Sequence, residues 1–195
     1  MKRGLSVWYY RRIAAWASLF NFLDLAADYW LRIAALDPRN AQVWASLGFL
    51  KAEQGKRAEA EAFMRRALEC DPNSAQTWFN LGFLRQETGD HAEAIACFER
   101  AVRGDGKIDR AWYGLAISLI KTGRLEEAIA ALEKNTELQP MSPYGWYQLA
   151  HVYQRLGQPG HVEQIIRRLA GFEPKVAKQI EHETGIRTGA IASFH

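Results

Sequence analysis

Histidine and carboxylate side chains come close together in this sequence at two places where metal or acid–base chemistry is conceivable. His151 and His161 fall on two consecutive predicted helices and could approach each other, but two histidines without further ligands make a weak zinc site. The segment Glu181–Glu183 holds one histidine between two glutamates and lacks a second histidine at metalloprotease spacing. Neither group predicts a metal centre.

Phosphate and nucleic-acid binding motifs are also weak. Gly104–Lys107 vaguely resembles a phosphate-binding loop, yet it lacks the leading glycine at the required distance and the Ser or Thr after the lysine. The pairs Arg65–Arg66 and Arg167–Arg168 fall on predicted helices as isolated pairs, as on a solvated helix surface. The sequence therefore predicts a protein that is not an enzyme, needs no cofactor and binds no nucleic acid.

Composition favours a folded, cytoplasmic protein. Of its 195 residues 48% are hydrophobic, and the net charge is only +3. Its two cysteines, Cys70 and Cys97, fall inside predicted helices, which suits a reducing compartment. Arg11 and Arg12 interrupt the apolar stretch that a signal peptide needs, and the uncharged run Ile13–Leu23 is shorter than the roughly 20 residues of a membrane span.

A period of 34 residues organises most of the chain. The tryptophans that keep this interval are Trp44, Trp78, Trp112 and Trp146. The prolines at this interval or twice it are Pro38, Pro72, Pro140 and Pro174, with Gly106 in place of the missing one. A fixed period of this size indicates stacked units, each made of a few secondary-structure elements.

Each unit predicts a first helix, called A, a short breaker and a second helix, called B. In the first clear unit, helix A covers about Ala41–Gln54, Gly55 is the breaker, and helix B covers about Arg57–Cys70. The later units repeat this pattern with Gly89, Gly123 and Gly157 as breakers. The period thus predicts an all-helical chain.

The residue types that recur from unit to unit have a spacing that is specific to one kind of repeat. In the second unit these residues are Trp78, Leu81, Gly82, Ala94, Phe98 and Ala101, and their pattern resembles the tetratricopeptide repeat. The resemblance implies an all-α, right-handed α-solenoid of antiparallel helix pairs. It places clear repeats at 41–74, 75–108, 109–142 and 143–174, a degenerate repeat at 7–40 and a cap helix at about 174–184. Residues 1–185 are therefore predicted to be a single solenoid, and residues 186–195 a mobile tail.

The two faces of each A helix have different predicted roles. Because each helical residue advances about 100°, positions 4, 7, 8 and 11, counted from the first residue of helix A, share one face. This face carries the signature, including the tryptophans, and is predicted to form the core. The resemblance places positions 2, 5, 6, 9, 12 and 13 on the inner, concave surface, where such arrays bind their ligands.

Aromatic and polar residues on that second face predict a peptide-binding groove. Its predicted lining residues are Phe49, Phe79, Asn80, Phe83, Arg110, Tyr113, Ile117, Tyr147 and His151. The alternative is that neighbouring helices or the cap cover these side chains. Position 13 changes from Glu53 and Glu87 to Lys121 and Arg155 along the array, so charge could orient an extended ligand.

Asn80 and Arg110 match part of the carboxylate clamp of tetratricopeptide co-chaperones, whereas Ala45, Phe49 and Gly114 replace its other members. The preferred hypothesis is therefore a non-enzymatic scaffold or adaptor that binds an apolar or amphipathic peptide, or a helix of a partner protein.

Two alternatives stay open. The first is a homo-oligomer in which a neighbour's groove takes either the helix with Trp8, Tyr9 and Trp16 or the tail with Ile191 and Phe194. The second is a narrower version of the adaptor hypothesis, a secretion-type chaperone.

Overall fold

The computed structural model describes residues 2–190. This part of the chain contains eleven α-helices and no strand, which confirms the predicted all-α fold of helix pairs. The helices are α1 (Lys2–Leu19), α2 (Leu23–Leu36), α3 (Ala41–Glu53), α4 (Arg57–Cys70), α5 (Ala75–Glu87), α6 (His91–Gly104), α7 (Asp109–Lys121), α8 (Leu125–Leu138), α9 (Pro143–Arg155), α10 (Pro159–Ala170) and α11 (Pro174–Thr184). Ile191 and Phe194 of the predicted tail lie outside the described residues.

The chain divides into two compact units, the first ending at Gly89 and the second beginning at Asp90. The division falls inside the second repeat, between α5 and α6. A single solenoid over residues 1–185 therefore stays a prediction.

In the segment after α11, the backbone N–H and hydroxyl of Thr188 both donate to Glu181 Oε1, at 2.7 and 2.8 Å. The start of the predicted mobile tail is thus hydrogen-bonded to α11.

The turn inside each helix pair uses a left-handed residue. Gly55 has φ +72°, and the corresponding glycines of the later pairs also have positive φ, a conformation that costs glycine little. The degenerate first pair has Asn21 at this position, with φ +60°. Asparagine is among the few other residues that adopt this conformation readily. The first repeat therefore makes the same turn without the glycine.

The first unit is built by packing each of its helices against the next in sequence. Small residues allow the closest approach. At Gly48 of α3, an added Cβ would lie 2.7 Å from Met64 Cγ and 3.1 Å from the carbonyl oxygen of Ala60, both in α4. Gly48 is thus required by the close packing of α3 against α4.

The second unit also buries large apolar side chains between its helices. Phe98, Leu132 and Ile166 are fully buried, and Phe98 lies against Gly114 of α7. Its final helix, α11, packs on both α9 and α10 and buries Ala177 and Ile180 completely. The predicted cap helix therefore supplies core side chains as well as a solvated surface.

The repeating tryptophans are half-buried and make a hydrogen bond that the sequence analysis missed. In each of the four clear repeats the indole N–H donates to the carbonyl oxygen six residues earlier. The pairs are Trp44 with Pro38 (2.9 Å), Trp78 with Pro72 (2.8 Å), Trp112 with Gly106 (2.9 Å) and Trp146 with Pro140 (3.0 Å). Because the acceptor is a backbone atom, the bond survives the replacement of proline by glycine at position 106. The tryptophans therefore pin the turns between repeats in addition to packing.

Candidate functional site

In the first unit, two phenylalanines of the predicted groove lie on the surface. Phe49 of α3 and Phe83 of α5 occupy the same position, 9, of adjacent A helices, and α3 and α5 contact each other. Their exposed fractions are 49% and 45%, although both are large apolar side chains. The first unit therefore presents a pair of half-exposed aromatic rings on its A helices.

Phe79, the third aromatic residue predicted for this face, is buried and only 7% exposed. It occupies position 5 of α5, so position 5 is more deeply placed here than position 9. Asn80, the next residue, is half-buried, and its Oδ1 accepts a hydrogen bond from Gln76 Nε2 at 3.0 Å. Phe79 thus offers a ligand little surface.

In the second unit, α7 carries three of the predicted residues. Arg110 is exposed, whereas Tyr113 and Ile117 are half-buried. The helix exposes a cation at position 2 beside partly covered apolar groups at positions 5 and 9. This mixture suits an amphipathic segment better than a purely apolar one.

The next A helix, α9, has its two predicted residues engaged by the cap helix. Tyr147 donates its hydroxyl hydrogen to Glu183 Oε2 at 2.9 Å, and His151 Nε2 lies 2.8 Å from the same oxygen. The rings of Tyr147 and His151 meet edge to face, with centroids 4.5 Å apart. Gln179 Nε2 donates to the other carboxylate oxygen of Glu183 at 2.8 Å. We call these four residues the cap cluster.

The cap cluster shifts the pKa values of two of its members. Hydrogen bonds from Gln179, Tyr147 and His151 favour the ionised form of Glu183 and lower its pKa. The hydrogen bond to Glu183, with burial and the nearby negative charge, raises the pKa of Tyr147. Glu183 is therefore ionised at neutral pH and acts as the acceptor at the centre of the cluster. The hydroxyl of Tyr147 and Nε2 of His151 are thus both engaged by this carboxylate.

The two histidines considered as metal ligands have separate surroundings. His151 belongs to the cap cluster, whereas His161 stacks on Tyr153 with centroids 4.4 Å apart. Within residues 2–190, no group of three or more His, Cys, Asp or Glu side chains is arranged to hold a metal ion.

The second unit also has a surface cavity of about 510 Å³ that the sequence did not indicate. It lies among α8, α9 and α10, and its lining includes Trp146, Tyr153, His161 and Arg168. The Arg168 guanidinium lies over the Trp146 ring at 4.5 Å. None of the residues predicted for the groove lines this cavity.

Sequence reasoning did not predict that Glu183 and Gln179 of α11 take part in the site on α9. The sequence predicts a cap helix at their position, but 36 residues separate Tyr147 from Glu183. A helical period relates residues within one helix, so it does not show which residue of α11 meets α9. The apolar positions Ala177 and Ile180 orient α11, and they offered the available signal.

Comparison with known protein families gives two matches. One model of the tetratricopeptide repeat matches residues 39–105, and another matches residues 79–143. Together they span more than half of the 195-residue chain. No curated protein sequence matches the chain.

Several solved structures share the fold. A crystal structure of MamA matches with a TM-score of 0.74 and 20% identity, covering 93% of this chain and 95% of that one. YrrB, described as a TPR protein with an unusual peptide-binding site, matches with a TM-score of 0.76 and 19% identity, covering 89% and 90%. MamA from Desulfovibrio magneticus RS-1, residue 41 to the end, matches with a TM-score of 0.75 and 18% identity, covering 91% and 96%. These similarities establish the α-solenoid of helix pairs.

Proposed function

The chain belongs to the tetratricopeptide repeat family, and from this premise we propose that it is a non-enzymatic scaffold that binds a segment of another protein on its A helices. Repeats of this kind typically serve protein–protein interaction rather than catalysis. The peptide-binding site for which YrrB is described lies on the same fold, which supports a peptide as the kind of ligand. Neither Cys70 nor Cys97 is in a disulfide bond, which suits the cytoplasmic location that belongs to the proposal.

The exposed pair Phe49 and Phe83 is the observation that carries the proposal. Two rings at the same position of contacting helices, each close to half exposed, form an apolar surface that soluble proteins usually cover with a partner. Asn80 on the same face has a side-chain amide that suits hydrogen bonding to the main chain of a ligand. We therefore assign the first contact with an apolar or amphipathic peptide to α3 and α5.

The predicted residues of the second unit carry a part of the proposal of their own. Arg110 would hold a ligand carboxylate, and Tyr113 and Ile117 would contact apolar side chains. A ligand group that hydrogen-bonds to Tyr147 and His151 would compete with Glu183 of the cap cluster. This competition suggests that an acidic group on the ligand would be favoured at that end.

A displayed library of amphipathic peptides tests the proposal without a known partner. Peptides selected on the wild-type chain are measured against the double variant Phe49→Ala/Phe83→Ala, with affinity read by fluorescence polarisation. We expect binding to weaken by about 2 kcal/mol or more, roughly thirtyfold, because exposed aromatic anchors dominate such contacts. Tyr113→Ala, measured separately, shows whether the peptide also contacts the second unit.

The matched control is Met141→Ala, which removes another large exposed apolar side chain, 66% exposed in the turn before α9 and outside the A helices. Circular dichroism verifies that each variant is folded. Unchanged affinity in the folded Phe49/Phe83 variant would refute the proposed site.

The self-assembly alternative has one supporting observation, the exposure of Trp8, Tyr9 and Trp16, which are 58%, 54% and 52% exposed. In that version the helix α1 of one copy occupies the A-helix face of another. Light scattering over a range of concentrations measures the mass, and the Phe49→Ala/Phe83→Ala variant should then lower it. A monomer at all concentrations would refute this alternative and would not affect the scaffold proposal. A secretion-type chaperone remains a narrower form of the scaffold proposal.

A further inference from the structure

The first helix exposes a continuous apolar face. At about 100° per residue, one arc of roughly 100° around the axis of α1 holds Leu5, Trp8, Tyr9, Trp16 and Leu19, so they share one side of the helix. Phe20 and Phe22 continue this side into the turn after α1, with the Trp16 ring 5.0 and 5.8 Å from theirs. Each of these seven side chains is at least 52% exposed. We call them the N-terminal aromatic face.

The opposite side of α1 is also apolar. Ala14 and Ala17 are completely buried in the core of the first unit, and Val7 and Tyr10 pack against that core. A helix that is apolar on both sides is normally covered on both sides. The N-terminal aromatic face, with seven exposed side chains, is therefore larger than the exposed pair Phe49 and Phe83 of the same unit, and nothing described so far covers it.

The side chains of this face are too large for the contact that the later A helices make with the preceding B helix. Tyr9 and Trp16 occupy positions 3 and 10, and in the later repeats these positions are buried. The later residues are Val43, Leu50, Thr77, Leu84, Ala111, Ser118, Gly145 and Val152. At Gly145 an added Cβ would lie 3.0 Å from Thr136 Cγ2 of the preceding B helix. Two large aromatic rings at these positions leave no room for a preceding helix packed in the same way.

The charge of α1 distinguishes between two candidates for covering the N-terminal aromatic face, a second copy of the chain and an anionic surface. The α1 sequence contains four basic residues and no acidic residue, and the first carboxylate of the chain is Asp24. Arg12 lies in the middle of the aromatic face, with its guanidinium 5.6 Å from the Trp8 ring centroid. A second copy placed symmetrically on this face would bring like charges together, whereas an anionic surface would complement them.

The aromatic residues themselves fit a lipid–water boundary. Tryptophan and tyrosine combine an apolar ring with a polar N–H or O–H, and they are enriched at membrane interfaces. Among the described residues, no helix is long and apolar enough to cross a bilayer. We propose that the N-terminal aromatic face, with Arg11 and Arg12, binds the surface of a bilayer that contains anionic lipid, with α1 lying in the plane of the interface.

Vesicle flotation with the full chain tests this proposal. The probes are vesicles of phosphatidylcholine alone and of phosphatidylcholine with about one third phosphatidylserine, each at low and at high salt. We expect binding to the anionic vesicles, weakened by salt. Arg11→Gln/Arg12→Gln should weaken binding about fivefold for each arginine removed. Trp8→Gln/Trp16→Gln should weaken it by about tenfold or more, because the inserted apolar area is lost.

The control variant is Tyr144→Gln, which removes an exposed aromatic residue from α9 and should bind vesicles like the wild type. Circular dichroism and selected-peptide affinity confirm that the variants keep their fold and their A-helix face. Absence of binding to anionic vesicles, or binding that persists in the folded Trp8→Gln/Trp16→Gln variant, would overturn the proposal. So would a concentration-dependent doubling of mass abolished by that variant without vesicle binding, because it would assign the face to a second copy.

Discussion

The first and last helices that the structure describes expose opposite kinds of surface. At the C-terminal end, α11 buries Ala177 and Ile180 and turns Lys175, Lys178 and His182 to the solvent. At the N-terminal end, α1 buries alanines and turns large aromatic residues outward. A polar outer surface is stable in contact with water, whereas a large aromatic one is usually covered by a partner. The difference lies in the outer residues, because both ends bury an apolar side.

The largest expected difference between the ends is in stability. Ile180→Ala removes a fully buried side chain from α11 and should lower the free energy of unfolding by about 2–4 kcal/mol. Leu19→Ala removes a side chain that is 79% exposed in α1 and should change it by less than about 0.5 kcal/mol. Urea denaturation monitored by circular dichroism measures both.

Ile180→Val serves as the conservative control and should cost about 1 kcal/mol. Equal effects of the two alanine substitutions would show that the outer side of α1 is packed in solution, and the comparison between the ends would fail.

A smaller effect is expected where the segment after α11 returns to that helix. Glu181→Ala removes the acceptor of two hydrogen bonds from Thr188 and should destabilise the protein by about 1–2 kcal/mol. Limited proteolysis should then cut near Thr188 sooner than in the wild type. Glu126→Ala, at an exposed residue of α8, is the control glutamate substitution on another helix. If cleavage near Thr188 is unchanged, these bonds do not hold the segment.

The smallest expected effect is pH-dependent and concerns the cap cluster. Because folding lowers the pKa of Glu183, the ionised carboxylate stabilises the folded state above its unfolded pKa. This contribution is lost as the pH falls through the lower, folded value. The difference in unfolding midpoint between the wild type and Glu183→Gln should therefore be present at neutral pH and shrink in acid.

Glu53→Gln, at an exposed residue of α3, controls for the general effect of removing one negative charge. A difference between wild type and Glu183→Gln that grew as the pH fell would contradict the role given to the carboxylate.

Local features of the sequence predicted the helices well. The breaker glycines and the tryptophan period place the helix pairs, because the left-handed turn and the apolar side of a helix depend on nearby residues. Asn21 was not predicted as a turn residue, because the breakers of the later units are all glycines, whereas asparagine also suits this backbone. The indole hydrogen bonds were missed because a repeated tryptophan indicates packing but does not show where its N–H points.

The candidate site was less accessible to sequence reasoning. Phe79 and Phe83 are both aromatic residues on the predicted inner side of α5, yet one is 7% and the other 45% exposed. The helical period separates them by only about 40°, so it cannot assign them different depths. Burial at that resolution depends on the neighbouring helices, which are distant in sequence.

The sequence by itself determined the repeat, the helix pairs and the identity of the family, because these follow from residue types at short, regular spacing. Tertiary structure alone decided which side chains remain available. Glu183 meets Tyr147 and His151 because α11 packs on α9, and Trp16 stays exposed while its counterparts at position 10 are buried. The physical reason is that exposure and hydrogen bonding across helices depend on the approach of distant segments, which local periodicity does not encode.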